Sequence, residues 1–180
     1  MAKNIEIKAR VAALETVRAK ALSLASGPGE TLRQSDTFFV VPEGRLKIRE
    51  FDDGTGELIA YHRPNTPGLR QSVYTRYPCH DAKALCDTLS RVLPVHGVVR
   101  KEREVAIIGQ TRVHFDTVEG LGTFIELEVI LSDDEPALHG EHIARDLLRT
   151  LQIPDESLIA EAYIDLLDGR TSSTPRSAPQ

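Results

Sequence analysis

The stretch Arg45-Leu46-Lys47-Ile48-Arg49 places a cation at every second position and an aliphatic residue at each position between. Successive side chains of a strand point to opposite faces, so this reads as a strand with one basic face and one apolar face. The same period recurs along the chain. Ile5 and Ile7 oppose Asn4, Glu6 and Lys8, while Arg112, His114 and Asp116 oppose Val113 and Phe115. Glu126 and Glu128 oppose Ile125, Leu127 and Val129, and Lys101 and Arg103 share a face with Val105. Tyr61 pairs in this way with Arg63, and Tyr74 with Arg76.

Working outward from these runs, eight strands are expected near Asn4–Ala9, Arg33–Val41, Arg45–Phe51, Glu57–Arg63, Gln71–Tyr77, Val98–Ile108, Thr111–Thr117 and Thr123–Leu131. The links Pro42-Glu43-Gly44, Asp52-Asp53-Gly54-Thr55-Gly56 and Gly109-Gln110 are short and carry turn residues. Strands joined so tightly are antiparallel. Apolar residues at helical spacing predict helices over Val11–Ala25, Asp81–Leu93 and Glu141–Leu151, with a shorter candidate over Ser157–Leu167. The fold class expected is α+β: a mainly antiparallel sheet of eight strands with three to four helices. One domain spans residues 1–168, and the Pro-, Ser- and Thr-rich tail 169–180 is expected to be disordered.

Composition narrows the function. The 180 residues are 41% hydrophobic and 27% charged, as in a globular protein, and the net charge of -5 argues against general nucleic-acid binding. The first ten residues already carry Lys3, Glu6, Lys8 and Arg10, so no secretory leader is expected, and no apolar run is long enough for a membrane span. Cys79 and Cys86, without a second pair, read as ordinary thiols in a reducing compartment, and a cytoplasmic protein is expected.

A sheet with one dry and one wet face accounts for the alternation alone, but not for its sign. Three cations stand on Arg45–Arg49 and two acids on Glu126–Glu128. Two like charges about 7 Å apart cost roughly 2 kcal/mol at an effective dielectric near 20. A bound polyanion with divalent cations relieves both sets. Arg and Lys suit phosphate oxygens, and paired carboxylates suit Mg²⁺ or Mn²⁺. An eight-stranded closed sheet has room inside for one small ligand, so a charged barrel interior under an apolar, helix-covered exterior satisfies the pattern.

The ordered set of charged runs resembles the CYTH domain, or triphosphate tunnel metalloenzyme, family, which includes class IV adenylate cyclases and thiamine triphosphatases. Asn4-Ile5-Glu6-Ile7-Lys8 resembles the family's opening E-x-E-x-K, Arg45–Arg49 its basic third strand, and Lys101-Glu102-Arg103 its later K-x-R. Glu126-Leu127-Glu128, after Gly120-Leu121-Gly122, resembles its E-x-E, and Asp36 and Tyr163 also fit. The resemblance implies an eight-stranded antiparallel barrel whose tunnel binds a triphosphate with Mg²⁺ or Mn²⁺. It implies Glu6, Glu126 and Glu128 as metal ligands, with Asp116 as a further neighbour. Lys8, Lys47, Arg49, Arg63, Lys101, Arg103 and Arg112 would hold phosphate oxygens, and Glu6 and Lys8 would serve the chemistry, Lys8 by positioning the attacking water. Asn4 departs from the family's first Glu, Phe38 stands where a tyrosine is common, and His62 competes with Arg63 for the fourth strand's cation.

The function expected is metal-dependent hydrolysis of a nucleotide, organic or inorganic triphosphate. The rivals are a class IV adenylate cyclase, which attacks the α-phosphate with the ribose 3′-hydroxyl, and a non-catalytic polyphosphate- or nucleotide-binding module. The expected partner is a triphosphate-bearing small molecule such as ATP, thiamine triphosphate or tripolyphosphate, with no nucleic acid and no membrane; a homodimer stays open.

Overall fold

The computed structural model describes residues 2–62 and 70–173. The chain runs β1 (Ala2–Arg10), α1 (Leu14–Leu24), β2 (Glu30–Phe39), β3 (Arg45–Phe51), β4 (Gly56–His62) and β5 (Arg70–Cys79). It continues with α2 (Ala82–Leu89), β6 (Val95–Ile108), β7 (Thr111–Val118), β8 (Gly122–Leu131) and α3 (Ala137–Thr150). A 3-10 turn at Asp155–Ser157, a two-residue strand β9 (Leu158–Ile159) and α4 (Tyr163–Ser173) complete it.

All eight expected strands form, and every pairing is antiparallel. They lie in the order β5-β4-β3-β2-β6-β7-β8-β1, and β5 then pairs with β1 from Ala2↔Tyr74 to Glu6↔Arg70. The sheet therefore curls until its first and last long strands meet. β9 takes the remaining edge of β1, through Lys8↔Ile159 and Ala9↔Leu158. Left-handed glycines make two of the tight links, Gly54 (φ 81°) between β3 and β4 and Gly109 (φ 57°) between β6 and β7.

Curling divides the period-two pattern into an outside and an inside. Ile5, Ile7 and Ala9 of β1, Val113 and Phe115 of β7, and Ile125, Leu127 and Val129 of β8 all face outward and are buried. They are covered by Ala21 of α1 and by Ala144 and Leu148 of α3. Gly140 lets α3 lie directly on β1, since a Cβ there would come within 2.8 Å of Ile5. Leu127 is fully buried, and truncating such a side chain to alanine typically costs about 2–5 kcal/mol. On the opposite side Ala82 of α2 packs on Phe39 and Ile48.

The final helix differs from the expectation. Leu158 and Ile159 fall at helical spacing in the sequence but are taken as a strand by the open edge of β1, so α4 starts only at Tyr163. It runs through Ser173, into the segment expected to be disordered, and 174–180 lie outside the described residues. α4 sits across one end of the barrel. Tyr163 and Ile164 pack with Phe38, Val99 and Phe124, and Arg45 of β3 clamps Asp165 at 3.0 and 2.7 Å. Asp165 also accepts a hydrogen bond from the Ala162 backbone N–H at 3.2 Å, half of a capping box for this helix. Among the described residues no helix is long and apolar enough to cross a membrane.

Candidate active site

The inward faces of the strands enclose a cavity of about 410 Å³. Nine of the eleven residues that the resemblance implies as ligands line it: Glu6, Lys8, Lys47, Arg49, Lys101, Arg103, Arg112, Glu126 and Glu128. Residues far apart in the sequence, from Glu6 to Glu128, thus converge because one parity on every strand points inward. Arg63 lies outside the described residues.

On β2, β3 and β6 the cations gather around one carboxylate. Asp36, 2% exposed, accepts hydrogen bonds from Lys47 Nζ at 2.6 Å, from Arg49 Nε and Nη2 at 2.8 and 2.9 Å, and from Lys101 Nζ at 3.1 Å. The registers Asp36↔Arg49 and Phe38↔Lys47 explain the convergence: Asp36 has a guanidinium directly opposite and an ammonium one pleat away. Burial alone would raise the Asp36 carboxyl, but Arg49, Lys101 and Lys47 outweigh it and hold it well below the ordinary carboxylate range. Burial, reinforced by the neighbouring Arg49, pushes the Lys47 ammonium down to about 8 although Asp36 opposes this. Lys101 moves in the same direction, by burial first, with Arg49, Arg103 and Lys47 adding to it against Asp36. One carboxylate serves three cations, so this wall carries an excess of positive charge.

On β1, β8 and β7 the signs alternate. Lys8 lies opposite Glu126 and Glu6 opposite Glu128 across β1 and β8, while His114 and Arg112 face the same two glutamates across β7. Arg112 Nη1 reaches Glu128 Oε2 at 3.4 Å, and the His114 ring lies 3.9 Å from Glu126 and 3.7 Å from Glu128. Burial, with Arg103 beside it, lowers the His114 imidazole, which disfavours its cationic form. Burial would raise Glu126, but Lys8, His114 and Arg103 hold it well below the usual range, and the carboxylate stays ionised. The Lys8 ammonium stands 4.0 Å above the Tyr163 ring.

Arg103 bridges the two walls. It grips Asp116 with Nε and Nη2, both at 2.6 Å, and Nη2 also reaches Glu126 at 2.9 Å. Tyr163 OH donates to Asp116 Oδ2 at 2.7 Å. Asp116 is fully buried and does not line the cavity. Both its oxygens are engaged by Arg103 and Tyr163, so in this structure it anchors the guanidinium and does not join the three glutamates.

The donor set suits a hard divalent cation. Asn4 Nδ2 donates to Glu128 Oε1 at 2.5 Å and to Glu6 Oε1 at 3.4 Å, which turns the two carboxylates toward one another. Asn4 Oδ1 is buried with no hydrogen-bond partner. Two carboxylates and an orphaned amide oxygen are the ligand types Mg²⁺ and Mn²⁺ prefer. Among the described residues no three His, Cys, Asp or Glu side chains stand close enough to hold an ion as they are placed, so an ion here would require the Asn4 amide or a shift of the glutamates.

Sequence reading missed two parts of this arrangement. Asp36 fitted the resemblance, but its role as the shared counter-ion depends on cross-strand register. Glu57, 3.6 Å from Arg76, also lines the cavity, and its parity with Tyr61 on the same strand was the signal available. Arg45 has inward parity but is spent on Asp165, outside the cavity lining.

A curled antiparallel sheet, apolar outside under helices and charged within, defines a small barrel with an ionic interior. The CYTH domain model matches residues 2–163, and the chain belongs to the CYTH domain family. Proteins of this family in general process triphosphates and depend on a metal. Similar solved structures include a protein of Pyrococcus horikoshii, 24% identical over 91% of this chain and 98% of that one, with a TM-score of 0.81. A candidate adenylate cyclase from Vibrio parahaemolyticus is 19% identical over 92% and 97% of the two chains, with a TM-score of 0.73. A Hippeastrum protein, named as an adenylyl cyclase but with a dominant triphosphatase activity, is 15% identical over 98% of each chain, with a TM-score of 0.66. No curated protein matches the chain.

Proposed function

We propose that this protein is a metal-dependent triphosphatase whose cavity holds the whole triphosphate group. The observation that carries the reading is the set of Lys47, Arg49 and Lys101 around a single buried carboxylate, facing a wall of glutamates across one cavity. A polyanion would share these cations with Asp36, and its phosphate oxygens would meet donors already oriented and already stripped of water. Arg103 and Arg112 offer further donors, with Arg63 as one more cation from the resemblance. Glu6, Glu128 and Glu126, with the Asn4 amide, would hold Mg²⁺ or Mn²⁺. Such an ion, when bound, supplies Lewis-acid charge to phosphoryl oxygens.

In the reaction, the oxygen of a water molecule bonds to the terminal phosphorus, the bridging P–O bond breaks, and diphosphate or its ester leaves with the bonding pair. Lys8, which stands over Tyr163 opposite Glu126, would orient that water, and the water's proton would pass to a glutamate or to solvent. The guanidinium of Arg103, fixed by Asp116 and Tyr163, faces the charge that spreads over the phosphoryl oxygens.

The test is a product-resolved assay with Mg²⁺ or Mn²⁺ on ATP, thiamine triphosphate and tripolyphosphate. Orthophosphate release is the expected result. Cyclic AMP with pyrophosphate as main products would replace this reading with the cyclase, and binding without turnover would replace it with a non-catalytic module.

A further inference from the structure

His114 stands on β7 directly across from Glu126 and lines the cavity, only 6% exposed. Its neighbours on this wall pull their partners close: Arg103 holds Asp116 at 2.6 Å and Glu126 at 2.9 Å, and Asn4 reaches Glu128 at 2.5 Å. The imidazole does not. Nδ1 lies 3.9 Å from Glu126 Oε2 and Nε2 lies 3.7 Å from Glu128 Oε2. Both gaps exceed the roughly 3.2 Å of a hydrogen bond, and Nδ1 is buried with no hydrogen-bond partner.

A neutral imidazole carries one N–H, so one of its nitrogens turns a lone pair toward a carboxylate that also offers only lone pairs. A cation between them removes the repulsion. Two ligand atoms that each sit about 2.1 Å from one ion stand roughly 3–4 Å apart, and the 3.7 Å gap between Nε2 and Glu128 has that spacing. Glu128 is also the acid in greater need of a cation. Glu126 has Arg103 at 2.9 Å and Lys8 opposite, whereas Glu128 has another acid, Glu6, opposite and Arg112 at 3.4 Å. Glu126 then accepts from Nδ1–H and fixes the ring, the usual arrangement behind a metal-bound histidine. Resting on the metal-dependent reading, we propose that His114 Nε2 is a ligand of the divalent ion, beside Glu128, Glu6 and the Asn4 amide oxygen, and that it biases the site toward a first-row transition ion such as Mn²⁺ over Mg²⁺. Oxygen donors alone serve both ions, but an imidazole nitrogen suits the transition metals. A turn of the glutamates closes the set, which does not surround an ion as placed.

The experiment loads the full chain with one equivalent of Mn²⁺, with and without tripolyphosphate, and reads modulation of the Mn²⁺ spin echo by a directly bound nitrogen. The wild type is expected to show it and His114→Gln to lose it. His139→Gln, which removes an exposed ring beside Glu135, is expected to keep it. Calorimetry on the same proteins is expected to find Mn²⁺ bound more tightly than Mg²⁺ by the wild type. That preference is expected to fall about tenfold in His114→Gln, the low end for disturbing a metal-bound histidine. Melting curves check the variants. If His114→Gln does not fold, wild-type spectra with and without isotope-labelled histidine decide whether an imidazole is bound. Mn²⁺ held without nitrogen coupling, coupling and preference unchanged in His114→Gln, or no Mn²⁺ binding at all would overturn the proposal. Coupling in a protein that turns over no triphosphate supports the proposal while the hydrolase reading falls.

Discussion

Along β3, β2 and β6, Lys47, Arg49 and Lys101 crowd one buried acid, Asp36, whereas along β1, β8 and β7 acids and bases alternate from row to row. On the first wall three basic side chains share one acid; on the second each glutamate of β8 has a base across the strand, and the Asn4 amide draws Glu6 and Glu128 toward one another. The difference teaches how the proposed ligand would divide: its anion would meet the first wall, and its cation the second.

The contrast breaks most visibly at Asp36. Asp36→Asn leaves three buried or nearly buried cations without their shared partner, a loss of roughly 3 kcal/mol by the measure of broken buried ion pairs. Urea unfolding is expected to show that loss, and added tripolyphosphate to restore part of it by supplying the missing negative charge. A variant as stable as the wild type would mean that water already screens this wall.

On the second wall the expected effect is on rate. Glu128→Gln keeps the side chain's volume and faces the cavity, so the melting temperature is expected to stay close to the wild type. Metal-dependent turnover is expected to fall about a hundredfold, the scale of losing one charge-stabilising group in a site of this kind. Unchanged kinetics would remove Glu128 from the metal set.

The smallest effect is a pH dependence carried by the lysines of the first wall. The Lys47 ammonium is pushed down to about 8 in the folded protein against an ordinary value of 10.5. Between those values the unfolded chain binds more protons than the folded one, so the stability of the ligand-free protein rises with pH across that window. Lys101, lowered by the same causes, contributes with the same sign. A bound polyanion favours the charged lysines and flattens the rise. Melting curves from pH 8 to 10, with and without tripolyphosphate, measure both slopes, and a rise of equal steepness in both would place the anion elsewhere.

Much of this was legible in the sequence because the barrel depends on a pattern each strand carries by itself. The alternation in Arg45–Arg49, Glu126–Val129 and Asn4–Lys8 predicts an apolar outside and a charged inside, and the eight strands form as read. What depends on which strand lies beside which was not legible. Asp36 becomes a shared counter-ion only through its register with β3 and β6. Asp116 has the right parity for a metal neighbour, but the register Arg103↔Asp116 gives it to the guanidinium. Arg45 carries inward parity too, yet α4 arrives with Asp165 and takes it. The displaced start of α4 has the same origin, because Leu158 and Ile159 answer to the free edge of β1 and not to their own spacing.

The central claim, that the two walls together hold a triphosphate with its metal, is tested most directly by thermal melting with tripolyphosphate and Mg²⁺, separately and together. A ligand at one hundred times its dissociation constant stabilises the folded state by about 2.7 kcal/mol. The account predicts that the pair raises the melting temperature by several degrees more than the sum of the two separate shifts, because each neutralises the wall that repels the other. A melting curve unmoved by the pair at millimolar concentration, or shifts that merely add, would contradict it.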